Sequence, residues 1–311
     1  MSETESKPGL SQVSKLPSWQ LKTRVLLGSG VLLAVALCFF VVGAAFCAAT
    51  LHVRRRTGAK PDGAAMAQII APDNTKLKAW WFQAGDSNRG CVMVLHGISD
   101  SKASSSGFAP LFLKHGYSVL APDSRAHGES GGEFVTYGLL EKYDVIAWAH
   151  WMKGLGCQRV YGLGESLGAS VLIQAISVEP VFNAVVAESP FADLQHMGEY
   201  RVQQMIPLPP VLSGPIASMV VESGLLYARL FYKLDFRLVS PAGSLRNSST
   251  PVFLIHGVDD RRTPPAESRS LAAARPLKTT LWLVPGGGHT NASAIAPARF
   301  RQMVLGFFGE N

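Results

Sequence analysis

The chain opens with a long apolar segment, after which short apolar runs alternate with longer amphipathic stretches. Residues 25–51 contain no Asp, Glu, Lys, Arg or His. About 20 apolar residues suffice for a helix to cross the hydrocarbon core of a bilayer. The segment therefore predicts one transmembrane helix, preceded by a polar tail over residues 1–24 and followed by a basic juxtamembrane linker over residues 52–65.

Two other interpretations of this segment are a cleaved signal peptide and a buried soluble helix. A signal peptide has an apolar region of about 7–15 residues and a small-residue cleavage site, so the length of the segment favours a retained anchor. The Lys and Arg residues that flank the segment differ too little in number to assign its orientation.

The remainder, residues 66–311, is predicted to form a single α/β domain. Its strand-like runs are almost continuously apolar, as in a parallel sheet that is covered on both faces. The runs are residues 66–71, 77–83, 91–95, 118–121, 159–163, 184–187, 252–255 and 280–284. Helical periods lie between most of them, near residues 103–115, 137–153, 167–178, 265–275 and 294–308. This alternation predicts a mostly parallel, doubly wound sheet.

One segment breaks the alternation, because residues 194–248 lie between two strands where a single helix would suffice. A long insertion of this kind can cover a functional site as a cap or lid. It can equally be an extra pair of packed helices, since both arrangements need an apolar stripe.

Charge and cysteine content narrow the possible partners. Six of the seven net positive charges lie in residues 1–60, so the body is nearly neutral and a basic nucleic-acid-binding face is not expected.

Cys91 and Cys157 begin apolar runs and are expected to be buried free thiols. No metal-ligand spacing appears among the four cysteines. The sequence does not define an oligomeric state.

The strongest chemical signal is the segment Gly164-Glu165-Ser166-Leu167-Gly168. It follows a predicted strand and precedes a predicted helix, the context of a serine held on a sharp turn between two small residues. The N-terminus of the helix would present free N–H groups to developing negative charge. Ser166 is thus a candidate nucleophile, whereas a structural place at the helix start is expected for Glu165.

A serine nucleophile needs a base, and the base needs an orienting group. Aspartates 259 and 260 follow the strand at residues 252–255, and His289 follows the strand at residues 280–284. Both positions lie just beyond the carboxyl end of a strand, where open α/β sheets place their sites. His289 is the only histidine after the two aspartates.

Five motifs together resemble the α/β-hydrolase superfamily, most closely its serine esterase-like, often membrane-anchored bacterial branch. They are Leu95-His96-Gly97, Asp123–Ser130, Gly164–Gly168, His256–Pro264 and the Gly-Gly-His289 loop. The resemblance implies an α/β-hydrolase fold with a helical cap and assigns Ser166 as nucleophile, His289 as base and Asp260, four residues before Pro264, as orienter. It also implies that Leu167 and Ile98 supply the backbone N–H groups of an oxyanion hole. The segment Arg261–Thr263 departs from the apolar residue that the family prefers before the proline.

Other polar residues near these motifs are expected to be structural. His96 and His256 would each close a strand and support a loop, and Asp123 with Arg125 would form a charged pair that braces the loop beside the elbow. The remaining histidines of the body are expected on the surface or bonded to loop carbonyls.

These residues predict a serine hydrolase that cleaves small or lipidic carboxylic esters or thioesters, with no metal or organic cofactor and with membrane lipid around the N-terminal helix. A peptidase or protein deacylase could use the same triad. A non-catalytic binding module with this fold is the alternative from another class.

Overall fold

The computed structural model describes residues 18–85 and 89–311. Helix α1, Ser18–Leu51, contains the whole apolar segment and begins seven residues before it. Residues 1–17 of the predicted polar tail lie outside the described residues. In the part of the chain that the structure describes, two helical segments are long and apolar enough to cross a membrane, namely residues 22–51 with a mean hydropathy of 2.8 and residues 210–232 with a mean hydropathy of 1.4.

Within the described residues, eight strands form one sheet, and every predicted strand is present. They are β1 Ala64–Ile70, β2 Lys76–Phe82, β3 Gly90–Leu95, β4 Tyr117–Pro122, β5 Val160–Glu165, β6 Ala184–Glu188, β7 Val252–Gly257 and β8 Thr279–Val284. Their order is β1-β2-β4-β3-β5-β6-β7-β8. The β1–β2 and β2–β4 pairs are antiparallel and all others are parallel, which confirms the mostly parallel sheet.

Helices cover both faces of the sheet. Those of the body are α2 Lys102–Ser105, α3 Ala109–Lys114, α4 Glu141–Gly154, α5 Leu167–Val178, α8 Pro241–Arg246, α9 Ala266–Ala274, α10 Ala292–Ile295 and α11 Pro297–Glu310, and the insertion contributes α6 Leu194–Gln203 and α7 Pro210–Tyr227. Trp148 of α4 and Leu172 of α5 are fully buried in the core on one face. Phe112 of α3 and Phe308 of α11 are fully buried in the core on the other face. The doubly wound architecture follows from these two cores.

The insertion predicted over residues 194–248 consists mainly of a helical cap. Helices α6 and α7 pack together, α7 continues into a π-helical turn at Ala228–Tyr232, and α1 packs against α7. The last part of the insertion, α8, packs instead on α5 and α9 and belongs to the body.

The prediction that Cys91 and Cys157 are free thiols is wrong, because the two residues form a disulfide. Both are buried, as expected. Cys91 lies at the start of β3 and Cys157 in the turn that leads into the neighbouring parallel strand β5, and their Cα atoms are 5.8 Å apart. Disulfide-bonded residues usually have Cα atoms 4.4–6.8 Å apart, so pairing of the two strands brings these cysteines to bonding distance.

Candidate active site

Ser166 is the single residue between the end of β5 and the start of α5. Its φ is +51° and its ψ is −113°, a backbone conformation that costs a non-glycine residue about 1–3 kcal/mol. Its N–H donates to the carbonyl of Glu188 on β6 (2.8 Å), which ties the turn to the neighbouring strand. The sharp turn predicted from the sequence is therefore present.

The glycines that flank this turn are required by backbone contacts. A Cβ atom on Gly164 would lie 2.6 Å from backbone atoms of Gly168, and one on Gly168 would lie 2.7 Å from the carbonyl oxygens of Leu95 and His96. These neighbours are main-chain atoms and cannot rotate away. The two glycines let α5 start directly against the loop that follows β3.

The loops that follow β7 and β8 bring Asp260 and His289 to this serine. His289 Nε2 is 2.9 Å from Ser166 Oγ, and His289 Nδ1 is 2.7 Å from Asp260 Oδ2. Asp259 is exposed to solvent, and its N–H donates to the Gly287 carbonyl (2.8 Å). Of the two aspartates, the structure thus places Asp260 against the histidine.

Asp260 is a buried carboxylate held in its ionised form. Burial by itself raises its pKa, but hydrogen bonds from His256, His289 and the Thr263 N–H outweigh burial and hold the pKa well below the usual range. Its Oδ1 accepts from the N–H groups of Arg262 (2.9 Å) and Thr263 (3.0 Å). An ionised Asp260 keeps a proton on His289 Nδ1 and leaves Nε2 free to accept one from Ser166.

His256 supports this carboxylate and does not contact Ser166. It is fully buried, its Nε2 lies 2.8 Å from the Thr263 carbonyl and 3.4 Å from Asp260 Oδ2, and its Nδ1 lies 2.6 Å from Ser268 Oγ. Because a carbonyl can only accept, the ring proton lies on Nε2 and Nδ1 accepts from the serine hydroxyl. The structural role expected for His256 is confirmed.

The two predicted oxyanion donors, Leu167 and Ile98, line the same cavity as Ser166 and His289. Neither backbone N–H has a hydrogen-bond partner among the residues that the structure describes. Leu167 is the first residue of α5, so its N–H is one of the free groups at a helix N-terminus.

His96 fixes the direction of the second donor. Its Nδ1 donates to the Gly97 carbonyl (2.7 Å), and its Nε2 accepts from the Ser124 N–H (3.1 Å). In a planar trans peptide the carbonyl and the next N–H point in opposite directions, so the Ile98 N–H points away from His96. Burial, together with the nearby His127, lowers the pKa of His96 to about 4. The ring is therefore neutral, as this pattern of one donor and one acceptor requires.

Two carboxyl groups with raised pKa values, the partly buried Glu165 and the buried Glu188, lie on the neighbouring strands β5 and β6. Burial, followed by the charges of Glu188 and Asp100, raises the pKa of Glu165 to about 8. Burial and the charge of Asp260 raise the pKa of Glu188 to about 7, although the Ala292 N–H and His256 act against this shift. Glu165 and Glu188 are paired across β5 and β6 and line no part of the cavity. Glu165 is the last residue of β5, one position before Ser166, and its structural role stays a prediction.

The predicted pairing of Asp123 with Arg125 is wrong, although each residue does brace its loop. Asp123 bonds the side chain and N–H of Lys102 and the N–H of Glu129. Arg125 forms a two-pronged ion pair with Asp144 of α4 (2.6 and 2.7 Å) and a further one with Asp73 (2.8 Å). The sequence places the two residues close together, but the turn directs their side chains to different elements.

The serine faces an apolar cavity of about 310 Å³ under the cap. Helices α6 and α7 contribute mainly apolar side chains, among them Leu194, Met197, Val221 and Leu225. Among the described residues that line this cavity, none is a Lys, Asp or Glu, and two are arginines, Arg201 and Arg262. Such a cavity accommodates an apolar group of substrate next to Ser166.

Sequence reasoning missed one part of this cavity, the contribution of α1. Phe46, Cys47 and Thr50 lie in the lining together with Ser166 and His289. An apolar run with no ionisable group predicts a helix, but nothing in it marks the residues that reach a distant site.

Comparisons with known proteins identify the family to which the fold belongs. Residues 92–303 match the family described as "Alpha/beta hydrolase family". Protein YqkD of Bacillus subtilis (strain 168), described as uncharacterised, is 28% identical over 220 residues, which is 70% of each chain. Protein YfhR of Escherichia coli (strain K12), also described as uncharacterised, is 24% identical over 242 residues, which is 76% of each chain.

Among solved structures, the Pyrococcus furiosus esterase Pf2001 is similar with a TM-score of 0.68 and 26% identity, over 84% of this chain and 99% of the esterase. The family match extends from β3 into α11 and includes the turn at Ser166. The chain belongs to the alpha/beta hydrolase family.

Proposed function

We propose that this protein is a membrane-anchored serine hydrolase that cleaves carboxylic ester or thioester bonds through Ser166, His289 and Asp260. The observation that carries the proposal is the pair of contacts made by His289, 2.9 Å to Ser166 Oγ and 2.7 Å to Asp260 Oδ2. A hydroxyl, an imidazole and a buried carboxylate in this order form the arrangement that activates a serine nucleophile.

The reaction proceeds by acyl transfer. Ser166 Oγ attacks the ester carbonyl carbon while its proton passes to His289 Nε2, and a tetrahedral oxyanion forms. The oxyanion collapses, the bond from carbon to the leaving alcohol or thiol breaks, and His289 returns the proton to the leaving group. A water molecule then gives a proton to His289 Nε2 and attacks the acyl carbon, and a second tetrahedral oxyanion forms. The bond from this carbon to Ser166 Oγ breaks, His289 returns the proton to Ser166 Oγ, and the carboxylic acid leaves.

The free N–H groups of Leu167 and Ile98 stabilise the oxyanion in both tetrahedral steps. Removing one donor of this kind costs about 10²–10³ in kcat in other serine hydrolases. The proposal for Ile98 rests on the peptide orientation set by His96.

An ester or thioester is favoured over a peptide by the cavity and by one relative. The cavity is largely apolar, which suits an acyl group. The Pyrococcus furiosus relative, at 26% identity, is named an esterase. Comparing ester, thioester and peptide substrates distinguishes this function from a peptidase and from a non-catalytic binding module.

We place the catalytic body on the oxidising side of the membrane that α1 crosses. The Cys91–Cys157 disulfide carries this placement, because such bonds persist in oxidising compartments and are rare in the cytosol. Protease added to the oxidising side of sealed membranes is expected to cleave the body, and protection until the membranes are opened would contradict the placement.

The function is tested with the purified full chain in mild detergent. Ester, thioester and peptide substrates are compared for the wild type, Ser166→Ala and Ser177→Ala, the last a control on the same helix α5 that lies outside the cavity lining. We expect ester or thioester turnover that Ser166→Ala abolishes and Ser177→Ala retains. Turnover of peptides alone would indicate a peptidase, and no turnover by folded wild type would contradict the proposal.

A further inference from the structure

Helix α1 forms part of the wall of the catalytic cavity. Phe46, Cys47 and Thr50 line the same cavity as Ser166, together with residues of α6 and α7. Tyr137, which also lines the cavity, donates its hydroxyl proton to the Thr50 carbonyl (2.8 Å). The end of the proposed anchor is therefore fixed to the body as well as facing the substrate site.

The contact between α1 and α7 depends on two glycines. A Cβ atom on Gly43 would lie 2.6 Å from Ser223 Cβ and from the Val220 carbonyl oxygen. A Cβ atom on Gly224 would lie 2.9 Å from the Gly43 carbonyl oxygen. Small residues at such a crossing let two backbones approach closely, as in helix contacts within membranes.

The length of α1 determines the depth of this contact in a bilayer. Residues 26–38 are exposed on all sides and account for about 20 Å of helix at 1.5 Å per residue. A hydrocarbon core of about 30 Å needs about 20 residues, so a span that begins after Arg24 extends to about residue 44. Burial against the protein begins at Phe39. The crossing at Gly43 therefore lies at the membrane boundary.

The cap presents an apolar surface that is continuous with α1. Met219 and Leu226 of α7, and Leu230 and Phe231 of the π-helical turn, are large apolar side chains that are 46–64% exposed. Phe40 of α1 packs edge-on against Tyr227 at the same end of α7 (ring centroids 6.1 Å apart). An exposed apolar surface next to a membrane helix is typical of a helix that lies in the bilayer interface with its apolar face in the lipid.

We propose that α1 and α7 form a membrane-docked wall of the cavity, and that the enzyme hydrolyses esters of long-chain lipids taken from the bilayer. The inference rests on the proposed function, since it assigns the substrate class of the same serine. The acyl chain lies along α1 and α7, and the ester carbonyl reaches Ser166. The ester groups of membrane lipids lie at the boundary between head groups and hydrocarbon, which is the depth that the length of α1 gives to the cavity.

The test compares two substrates with one leaving group, using the full chain in phosphatidylethanolamine and phosphatidylglycerol vesicles. 4-Methylumbelliferyl palmitate is dissolved in the vesicles and 4-methylumbelliferyl acetate in the water. Gly43→Leu forces α1 from α7, and Phe46→Ala removes part of the wall. Gly28→Leu is the matched control, because a Cβ atom there meets nothing within 4 Å.

The measured quantity is the palmitate-to-acetate ratio of kcat/KM, which does not depend on the fraction of folded enzyme. We expect Gly43→Leu and Phe46→Ala to lower this ratio by about tenfold or more, through lost contact with several methylene groups, and Gly28→Leu to leave it unchanged. An unchanged ratio in both wall variants, or hydrolysis of acetate without palmitate by the wild type, would overturn the inference and leave the proposed function standing. Hydrolysis of neither ester by the wild type, together with no turnover of thioesters, would contradict the proposed function itself.

Discussion

Glu188 couples the stability of the fold to pH beneath the catalytic turn, and Glu188→Gln tests this coupling. The side chain is 1% exposed. Its Oε1 accepts from the Ala292 N–H (2.8 Å), and its Oε2 has no partner among the residues that the structure describes. Burial and the nearby Asp260 therefore disfavour the charged form, against the opposing effects of the Ala292 N–H and His256, and raise the pKa to about 7 from the ordinary 4.5.

The direction in which pH changes the free energy of unfolding follows from the protons that the folded and unfolded states bind. Between pH 4.5 and 7 the unfolded chain loses the Glu188 proton while the folded protein retains it, so raising the pH through this window lowers the free energy of unfolding. One pKa unit corresponds to 1.36 kcal/mol, so the loss amounts to about 3 kcal/mol and is complete above pH 7. Glutamine does not titrate, and its amide fills the same space.

The assay is chemical unfolding of the full chain in mild detergent at several pH values between 4.5 and 8. We expect the stability of Glu188→Gln relative to wild type to rise by about 3 kcal/mol across this range. Glu310→Gln, at an exposed carboxylate near the C-terminus, controls for the change in net charge and is expected to give a flat difference. A difference for Glu188→Gln that is constant, or that falls as pH rises, would refute the reasoning.

Three further predictions concern the disulfide, the turn at Ser166 and the carboxylate of Asp260. Replacing both Cys91 and Cys157 by serine is expected to lower the free energy of unfolding by about 4 kcal/mol, from the entropy of a loop of 66 residues, and a loss below 1 kcal/mol under non-reducing conditions would contradict it. Gly168→Ala is expected to cost about 1–3 kcal/mol because its Cβ would meet backbone carbonyls, whereas Gly306→Ala, with open space in helix α11, is expected to be neutral or stabilising by thermal unfolding. Asp260→Asn is expected to lower kcat for an ester by about 10³–10⁴ with little change in KM, since an amide would favour the wrong tautomer of the histidine, and near-normal kcat would exclude the proposed role.

The sheet and the residues near Ser166 were predictable because their signals are local. Each apolar run is long enough for one strand, and the spacing of Gly164 and Gly168 around Ser166 is visible within five consecutive residues. Asp260 and His289 each follow a strand of the same sheet directly. Parallel strands place their carboxyl ends at one edge, so residues distant in sequence converge there without any further signal.

The features that escaped prediction depend on contacts between distant elements. The Cys91–Cys157 bond requires the register of β3 against β5, which apolar runs do not specify. Arg125 reaches Asp144 on α4 because of the path of its loop. The approach of α1 to the cavity depends on how the cap folds back, because a uniformly apolar helix has no face that the sequence distinguishes.

The central claim is that Ser166 is a nucleophile activated by His289. The most direct measurement is covalent labelling of the full chain with a fluorophosphonate probe, followed by mass spectrometry of the labelled peptide. We expect wild type to be labelled at Ser166, Ser177→Ala to be labelled equally, and Ser166→Ala to be unlabelled. A folded wild type that stays unlabelled, or labelling that persists in Ser166→Ala, would contradict the account.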